Sequence, residues 1–442
     1  MLQRWDESEL VGAYMLRCSV LTISLKKAYR FRLYPNPEQE ERMLATLEAC
    51  RHLWNDALAH RKQRWEDERK STAYNLQQSI LTEVRSSDPE LQGVYSQVAQ
   101  DVLQRLDRAF KVFFARRSGY PKFKEFRGSG SFTYPQAYNG SVKPDPLRKR
   151  LYLSKIGNIR AVFHRPLPRD GILKTCAIVR EPCGEWYASL VCEDIVPLQN
   201  VEIPVIHRQS EALAPVGIDL GLKALITTSD GEEIPNPKYL RKAEERLKRL
   251  QRSLSRKKKG SKNRWKARQR VASQHARVSR QRADSNHKLS ARLVEEHDLV
   301  AFEDLRIRNM VKNHGLAKSI SDAGWGQLIR FTEYKAVDRE RLVVKVEPAY
   351  STQECFFCGA LNKVSLDVRE FVCVGCEMTL KRDLNSARIV LKRGLAMVGQ
   401  DMPEIKPVET GPLLNQTTGR ASLVVEAGTR SPRLWSWEDV TT

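Results

Sequence analysis

The pattern of apolar and polar positions predicts a multidomain α+β chain. Residues 26–34 alternate as a strand does, and Pro35 and Pro37 then interrupt it, with Asn36 placed to cap a helix. From about residue 38 to residue 115, apolar side chains recur at helical spacing. This segment therefore predicts a subdomain of three or four helices.

The pattern changes between residues 118 and 200, where Gly, Pro and aromatic residues become more frequent. Short alternating runs in this segment predict strands. Together they indicate a small antiparallel barrel or sandwich that the strand at 26–34 joins. The predicted strands are Arg150–Leu153, Ile159–Phe163, Thr175–Arg180 and Trp186–Val191.

A third pattern begins at Pro215. It predicts two strands and the start of a third, with a turn at Ser229–Glu232 before that third strand. Long basic helices follow, and then a buried strand, a helix, a second strand and a final helix. These last four elements are predicted near residues 297–305, 322–340, 342–348 and 380–398.

Charge is concentrated in one segment of the chain. Lys and Arg number 75 against 53 Asp and Glu, a net charge of +22. Residues 241–282 hold 18 Lys and Arg against 2 Glu, or +16, which leaves +6 for the other 400 residues. A segment with so little acid to balance its positive charge indicates a polyanionic partner. Binding to nucleic acid is favourable because each neutralised phosphate releases condensed cations. Nucleic acid is favoured over a membrane surface, since no apolar face accompanies the charges.

The sequence contains neither a predicted transmembrane helix nor a predicted signal peptide. No run of 18 apolar residues is present, which predicts no transmembrane helix and no membrane partner. The first residues carry more acid than base, unlike a signal peptide. We therefore expect a soluble, cytoplasmic protein. Residues 1–25 are interpreted as an extension or uncertain start, and the aperiodic residues 399–442 as a disordered tail.

Four of the nine cysteines form two CxxC pairs, separated by 14 residues. Two such turns can bring four thiolates around one ion at about 2.3 Å. Disulfides are the alternative, but they are disfavoured in a chain without a secretory signal. The spacing therefore predicts a closed, structural Zn²⁺ site. Its ligands are Cys355, Cys358, Cys373 and Cys376.

Three acidic residues lie in apolar surroundings. Asp219 is in an apolar strand, Glu303 ends another, and Asp383 is in the first turn of the last helix. Each alone has a structural explanation, as a turn residue, a salt-bridge partner or a helix cap. In this order along strands and helices, however, they match an RNase H-like nuclease, in which three carboxylates hold two Mg²⁺ or Mn²⁺ ions.

These features together resemble the TnpB family, the RNA-guided nucleases encoded by insertion sequences and related to type V CRISPR effectors. The resemblance covers about residues 26–395. It implies that Asp219, Glu303 and Asp383 are a RuvC-type catalytic triad. It is carried by KAYRFRLYPNPEQE (27–40), SFTYPQ (131–136), GIDLGLK (217–223), FEDL (302–305), SISDAGWG (319–326), the CxxC pairs and KRDLNSA (381–387).

The resemblance also implies a domain organisation. A wedge-like β-barrel would comprise residues 26–36 and 118–205, with a helical recognition domain inserted at 37–117. A RuvC-like α/β nuclease domain would comprise 212–352 and 378–398. A zinc-binding module at 353–377 would be inserted in the nuclease domain and contact target nucleic acid.

Candidate nucleic-acid contacts follow from the same resemblance. Gln97 and Gln100 lie on a helix that resembles the family's reader of a short target-adjacent motif, and Gln suits bidentate contact with adenine. Ordinary packing or capping is the alternative for the weaker candidates. These are Trp54, Asn55, Thr133 and Tyr134. The segment PKFKEF (121–126), with Lys122 and Lys124, interleaves basic and aromatic residues that suit contacts to backbone and bases. The resemblance also implies that the basic segment, with Arg256, Lys257, Lys258 and Lys259, lies against the guide RNA and heteroduplex.

We therefore predict an RNA-guided, metal-dependent DNA endonuclease of a transposable element. The resemblance implies that it is a prokaryotic, nucleoid-associated protein of the cytoplasm. Its partners would be a guide RNA from the transposon end and double-stranded target DNA, with one protein monomer per RNA. A nuclease-inactive RNA-guided regulator, a small type V CRISPR effector and a stand-alone nuclease remain alternatives. Two departures from the family pattern are Lys381, where many relatives have an acid, and Ser386, where Ala is common.

Overall fold

The computed structural model describes residues 22–125, 128–168, 171–197, 214–363 and 369–399. Residues 1–21 of the predicted N-terminal extension (1–25) and residues 400–442 of the predicted tail (399–442) lie outside these ranges. Residues 22–25 belong to the first strand, so the predicted boundary at residue 25 was wrong. Two compact units make up the chain: unit 1 is residues 1–201 and 253–273, and unit 2 is residues 202–252 and 274–442. Residues 253–273 thus fall in unit 1, although the sequence-based segmentation placed them in the nuclease segment.

Four helices of unit 1 confirm the predicted helical segment. They are α1 (Pro37–Glu68), α2 (Tyr74–Ser87), α3 (Pro89–Gly93) and α4 (Ser96–Phe114). The predicted cap is present, because the Asn36 side chain accepts a hydrogen bond from the backbone N–H of Gln39 at 2.7 Å. The Gln39 side chain accepts from the Asn36 N–H in return, at 3.1 Å, which completes a capping box.

Seven strands of unit 1 form one antiparallel sheet in the order β2-β6-β7-β1-β5-β4-β3. As predicted, the first strand joins it, pairing with both β5 and β7. Among the described residues the ladder does not close into the predicted barrel, because β2 and β3 at its two ends are not paired. The strands are β1 (Thr22–Tyr34), β2 (Gly130–Tyr134), β3 (Val142–Asp145), β4 (Arg150–Leu153), β5 (Gly157–Val162), β6 (Ile172–Arg180) and β7 (Trp186–Pro197).

Unit 2 is built on a five-stranded sheet of order β10-β9-β8-β11-β12. Strands β8, β11 and β12 are parallel, whereas β9 is antiparallel to β8 and β10. The predicted strands and their turn are confirmed. The strands are β8 (Pro215–Leu220), β9 (Ala224–Thr228), β10 (Glu233–Pro235), β11 (Leu299–Glu303) and β12 (Leu342–Val346), and a separate hairpin pairs β13 (Glu370–Val372) with β14 (Thr379–Lys381).

Helices cover both faces of this sheet. Val300 and Phe302 of β11 join a core with α6, α8 and α9, whereas Leu299 and Ala301 join a second core with α10. This division follows from the period of two along a strand. The helices are α5 (Tyr239–Ser255), α6 (Lys262–Glu296), α7 (Ile307–Met310), α8 (His314–Ala323), α9 (Trp325–Asp338) and α10 (Arg382–Met397).

Candidate active site

Asp219 and Glu303 lie side by side on neighbouring parallel strands. The register pairs Phe302 of β11 with Ile218 of β8, so the next residues of the two strands are Glu303 and Asp219. Both acids have the parity of residues that face α10, since Ala301 packs there and Gly217 touches that helix. Strand register therefore brings two acids that are 84 residues apart to one edge of the sheet.

Close packing at Gly217 brings the third acid to this edge. A Cβ at Gly217 would meet the carbonyl oxygen of Ala387 at 2.2 Å and the backbone nitrogen of Leu391 at 2.5 Å. Helix α10 therefore lies directly on β8, and its first turn carries Asp383. The Asp383 carboxylate is about one-third exposed and pairs with Arg382 at 3.0 Å and Arg369 at 3.5 Å.

Two buried serines hold the two buried acids. The Ser386 hydroxyl of α10 donates a hydrogen bond to Asp219 Oδ1 at 2.9 Å. The Ser351 hydroxyl, just after β12, donates to Glu303 Oε1 at 2.5 Å. All four residues are buried. Sequence reasoning noted Ser386 only as a departure and missed Ser351, because no motif marks a lone serine before a CxxC pair.

Burial raises the pKa values of both strand acids, Asp219 and Glu303, because it disfavours the charged form. It raises the pKa of Asp219 to about 7, and the charges of Glu303 and Asp383 add to the increase. The Ser386 hydrogen bond and the Arg382 charge oppose it. Burial also raises the pKa of Glu303, against the Ser351 hydrogen bond and Arg393. Buried carboxyls with raised pKa values beside other acids are typical of functional sites.

The donor set of this site suits hard divalent cations, which prefer carboxylate oxygens. The oxygens of Asp219, Glu303 and Asp383 are not all within 4.8 Å of one another, the spacing reached by two other ligand groups among the described residues. The chemistry of the donors, and not their spacing, is what fits the triad to divalent cations.

The four predicted cysteines converge on one point. Their Sγ atoms all lie within 4.8 Å of one another, with Cys355 to Cys376 at 3.7 Å and Cys358 to Cys373 at 3.4 Å. Thiolates bound to one tetrahedral Zn²⁺ would be separated by roughly 3.8 Å. The cluster therefore has the donors and spacing of a structural zinc site.

Buried Asn385 links this cluster to the acid site. Its side chain accepts a hydrogen bond from the Phe356 N–H at 3.0 Å and donates to the Glu354 carbonyl at 2.7 Å. Asn385 lies between Asp383 and Ser386 on α10. The cysteine module is thus attached to the same helical turn that carries one acid and one serine of the site.

The helix suggested as a motif reader is α4, in unit 1. Gln97 and Gln100 are half-buried on it, and the Gln97 amide contacts Gln136 at 2.7 Å and Asn139 at 3.2 Å. The Thr133 hydroxyl accepts a hydrogen bond from the Arg105 guanidinium. Tyr134 is buried and stacks on Tyr95 at 5.7 Å. For Tyr134 this placement favours packing, the alternative to base contact.

The remaining unit 1 candidates divide between the core and the surface. Trp54 is 7% exposed, so its ring is a packing residue in this structure. Asn55 holds the backbone of Lys124, and the Lys124 ammonium lies 3.5 Å from the centre of the Trp54 ring. Lys122 is exposed, as are the four basic residues between α5 and α6, namely Arg256, Lys257, Lys258 and Lys259.

No described helix combines the length and apolar character needed to cross a membrane.

Three family models match the chain. They are "Probable transposase" of the OrfB_IS605 family at residues 198–314, "Helix-turn-helix domain" at 25–70 and "Cas12f1-like, TNB domain" at 325–390. The second spans β1 and the single long helix α1, so its description differs from the local structure.

Curated relatives match most of the chain. A "Putative RNA-guided DNA endonuclease" from Streptomyces pristinaespiralis is 38% identical over 381 residues, covering 84% of this chain and 90% of the relative. "Putative RNA-guided DNA endonuclease InsQ" from Escherichia coli (strain K12) is 32% identical over 406 residues, covering 87% and 97%.

A solved structure shares the fold. The "Cryo-EM structure of the Cas12f1-sgRNA-target DNA complex" matches with a TM-score of 0.51 at 12% identity, covering 84% of this chain and 98% of that one. The transposase model contains Asp219 and Glu303, and the third model contains the cysteines and Asp383. Since the relatives match along nearly their whole lengths, this chain belongs to the TnpB family of transposon-encoded proteins.

Proposed function

We propose that this protein is an RNA-guided, divalent-metal-dependent DNA endonuclease of a transposable element. The observation that carries the proposal is that strand register and helix packing bring Asp219, Glu303 and Asp383 to one edge of the unit 2 sheet. Relatives of this chain are named putative RNA-guided DNA endonucleases. Guide RNA and double-stranded DNA next to a short adjacent motif would be the partners, with one protein monomer per RNA.

The three acids would hold two Mg²⁺ or Mn²⁺ ions, which supply activation of water and stabilisation of the leaving oxygen in phosphodiester hydrolysis. Ser386 and Ser351 each occupy one oxygen of an acid and so fix how the carboxylate is oriented. Arg382 and Arg369 neutralise Asp383 at the more exposed side of the site, where a phosphate would approach.

The four cysteines would hold one structural Zn²⁺ with no open position for catalysis. Through Asn385, a folded module would keep the first turn of α10 in place. Metal analysis of the purified chain tests this part of the proposal, with one zinc per chain expected. A zinc content unchanged by Cys355→Ser would contradict the four-cysteine site.

The test of the whole proposal is co-expression of the chain with its flanking DNA, sequencing of the RNA that co-purifies, and cleavage of a matching DNA target. Asp219→Ala should reduce cleavage by at least about 1,000-fold while guide-dependent DNA binding persists, because only metal binding is lost. Asp230→Ala is the matched control, since this acid lies on an exposed turn of the same unit.

The outcomes separate the alternatives. Guided binding without cleavage by the parent chain would favour a nuclease-inactive regulator. Cleavage without any discrete RNA would favour a stand-alone nuclease. Cleavage by Asp219→Ala at the parent rate would show that the active site lies elsewhere.

A further inference from the structure

A loop rich in aromatic and basic residues follows α4 in unit 1. We call residues 114–125, which begin with the last residue of α4, the aromatic–basic loop. It exposes three rings, Phe114 at 72%, Phe123 at 55% and Tyr120 at 44%. Four basic residues and one acid, Glu125, give it a net charge of +3. Large exposed rings among cations indicate a binding surface, because they leave apolar area in contact with water.

Helix α1 holds the backbone on both sides of Phe123. The Trp54 indole N–H donates a hydrogen bond to the Lys122 carbonyl at 3.1 Å. The Asn55 side chain donates to the Lys124 carbonyl at 2.9 Å and accepts from the Lys124 N–H at 2.8 Å. The Phe123 ring is therefore presented to solvent by an ordered backbone.

Ring contacts hold the other half of the loop. Tyr120 meets Phe110 and Phe113 edge-on, with centroid distances of 5.5 and 5.4 Å. Phe114 lies 5.3 Å from Phe113 but keeps most of its surface exposed. The loop thus carries two outward rings, Phe114 and Phe123, on a prearranged support, which lowers the entropic cost of binding.

We propose that the aromatic–basic loop binds unpaired nucleotides. Bases would stack on Phe123 and Phe114, and phosphates would pair with Arg116, Arg117 and Lys122. Lys124 has a different role, because its ammonium lies on the Trp54 ring. The positive charge favours nucleic acid over a protein partner, and the inference rests on the proposed RNA-guided function. The unpaired nucleotides could belong to the guide RNA or to a separated DNA strand.

The test places the photocrosslinking residue p-benzoylphenylalanine at position 123 of the full chain, in complex with its co-purified RNA and labelled target DNA. The control position is Leu76, which is 38% exposed on α2 in the same unit. We expect a nucleic-acid crosslink from position 123 well above that from position 76. On a denaturing gel, the labelled nucleic acid that migrates with the protein identifies the source of the nucleotides as RNA or DNA.

Substitutions separate stacking from general apolar contact. Phe123→Ala should weaken binding of a 15-nucleotide oligouridine about 5-fold or more, whereas Phe123→Trp should retain it and Phe123→Leu should not. Because the ring is exposed, these variants should keep the parent's thermal stability. Binding by Phe123→Ala equal to the parent's, or crosslinks to protein only, would overturn the inference. If the parent chain binds no RNA at all, it is the proposed function that fails.

Discussion

At the scale of single residues, the site depends on how two buried carboxyls are held. Burial raises the pKa values of Asp219 and Glu303. One oxygen of each carboxylate accepts a hydrogen bond from a serine hydroxyl. Hydrogen bonds behind metal-binding groups set the orientation of those groups and their affinity for the ion. The two serines should therefore matter for metal binding more than for folding.

Replacing Ser386 tests this expectation. In Ser386→Ala, Asp219 loses the donor on Oδ1, so the Mg²⁺ concentration for half-maximal cleavage should rise by roughly 10- to 100-fold. High Mg²⁺ should restore the rate. Ser290→Ala, at another buried serine of unit 2, is the control and should leave the Mg²⁺ dependence unchanged. An equal Mg²⁺ dependence in Ser386→Ala and the parent would contradict the positioning role.

The raised pKa of Asp219 predicts a dependence of stability on pH. The folded-state pKa is about 7 against an ordinary 3.8, so the folded chain keeps a proton that the unfolded chain has lost. This contribution is fully present below pH 3.8 and is lost as the pH rises through about 7. Without added Mg²⁺, Asp219→Asn should reduce the loss of unfolding free energy between pH 5.5 and 8.5 by roughly 2 kcal/mol. Chemical denaturation at both pH values measures it, and equal pH dependence in the two proteins would contradict it.

At the scale of elements, the site is an intersection of β8, β11 and α10. Apolar alternation places Asp219 and Glu303 on one face, and a glycine allows the helix to approach that face. At Gly217 the nearest atoms are helix backbone, which cannot move aside as a flexible side chain can. Packing between these elements should therefore tolerate no side chain at this position.

Gly217→Ala should separate α10 from β8. We expect a loss of about 1–3 kcal/mol in unfolding free energy from overpacking, together with a loss of cleavage, because Asp383 and Ser386 move away from Asp219. Gly93→Ala is the control, since nothing lies within 4 Å of a Cβ there. Urea denaturation and a cleavage assay measure both effects. Wild-type stability in Gly217→Ala would show that the helix does not pack as closely as described.

At the scale of the whole molecule, the distribution of positive charge favours a nucleic-acid partner. Most of the net charge of +22 lies within residues 241–282. Many other lysines are matched by acids, as in the pairs of Lys288 with Asp284 and Lys318 with Glu244. Residues 256–259 are exposed in a loop that contains no acid. These four residues should therefore contribute strongly to binding of phosphates.

Changing all four to Gln should weaken RNA binding and flatten its salt dependence. The slope of log K against log salt should fall by roughly 0.7 to 0.9 for each phosphate that the variant no longer neutralises, up to about 3 in total. The control changes four ion-paired lysines, Lys62, Lys288, Lys318 and Lys345, and should alter the slope less. Filter binding from about 50 to 300 mM salt measures it. Equal slopes in the two variants would show that net charge alone matters.

The sequence by itself determined the elements and the chemical groups. Period-two and helical spacing located the strands around Asp219 and Glu303 and the helix of Asp383, and CxxC spacing located the thiolates, because these signals are local in the chain. Only the tertiary structure decided which side chains face each other. The serine partners of the acids and the burial of Trp54 and Tyr134 depend on contacts between distant segments. So does the order of the unit 1 strands, in which β2 and β3 stay unpaired within the described part of the chain. Local patterns carry no record of such contacts, since packing and register are set when the elements meet.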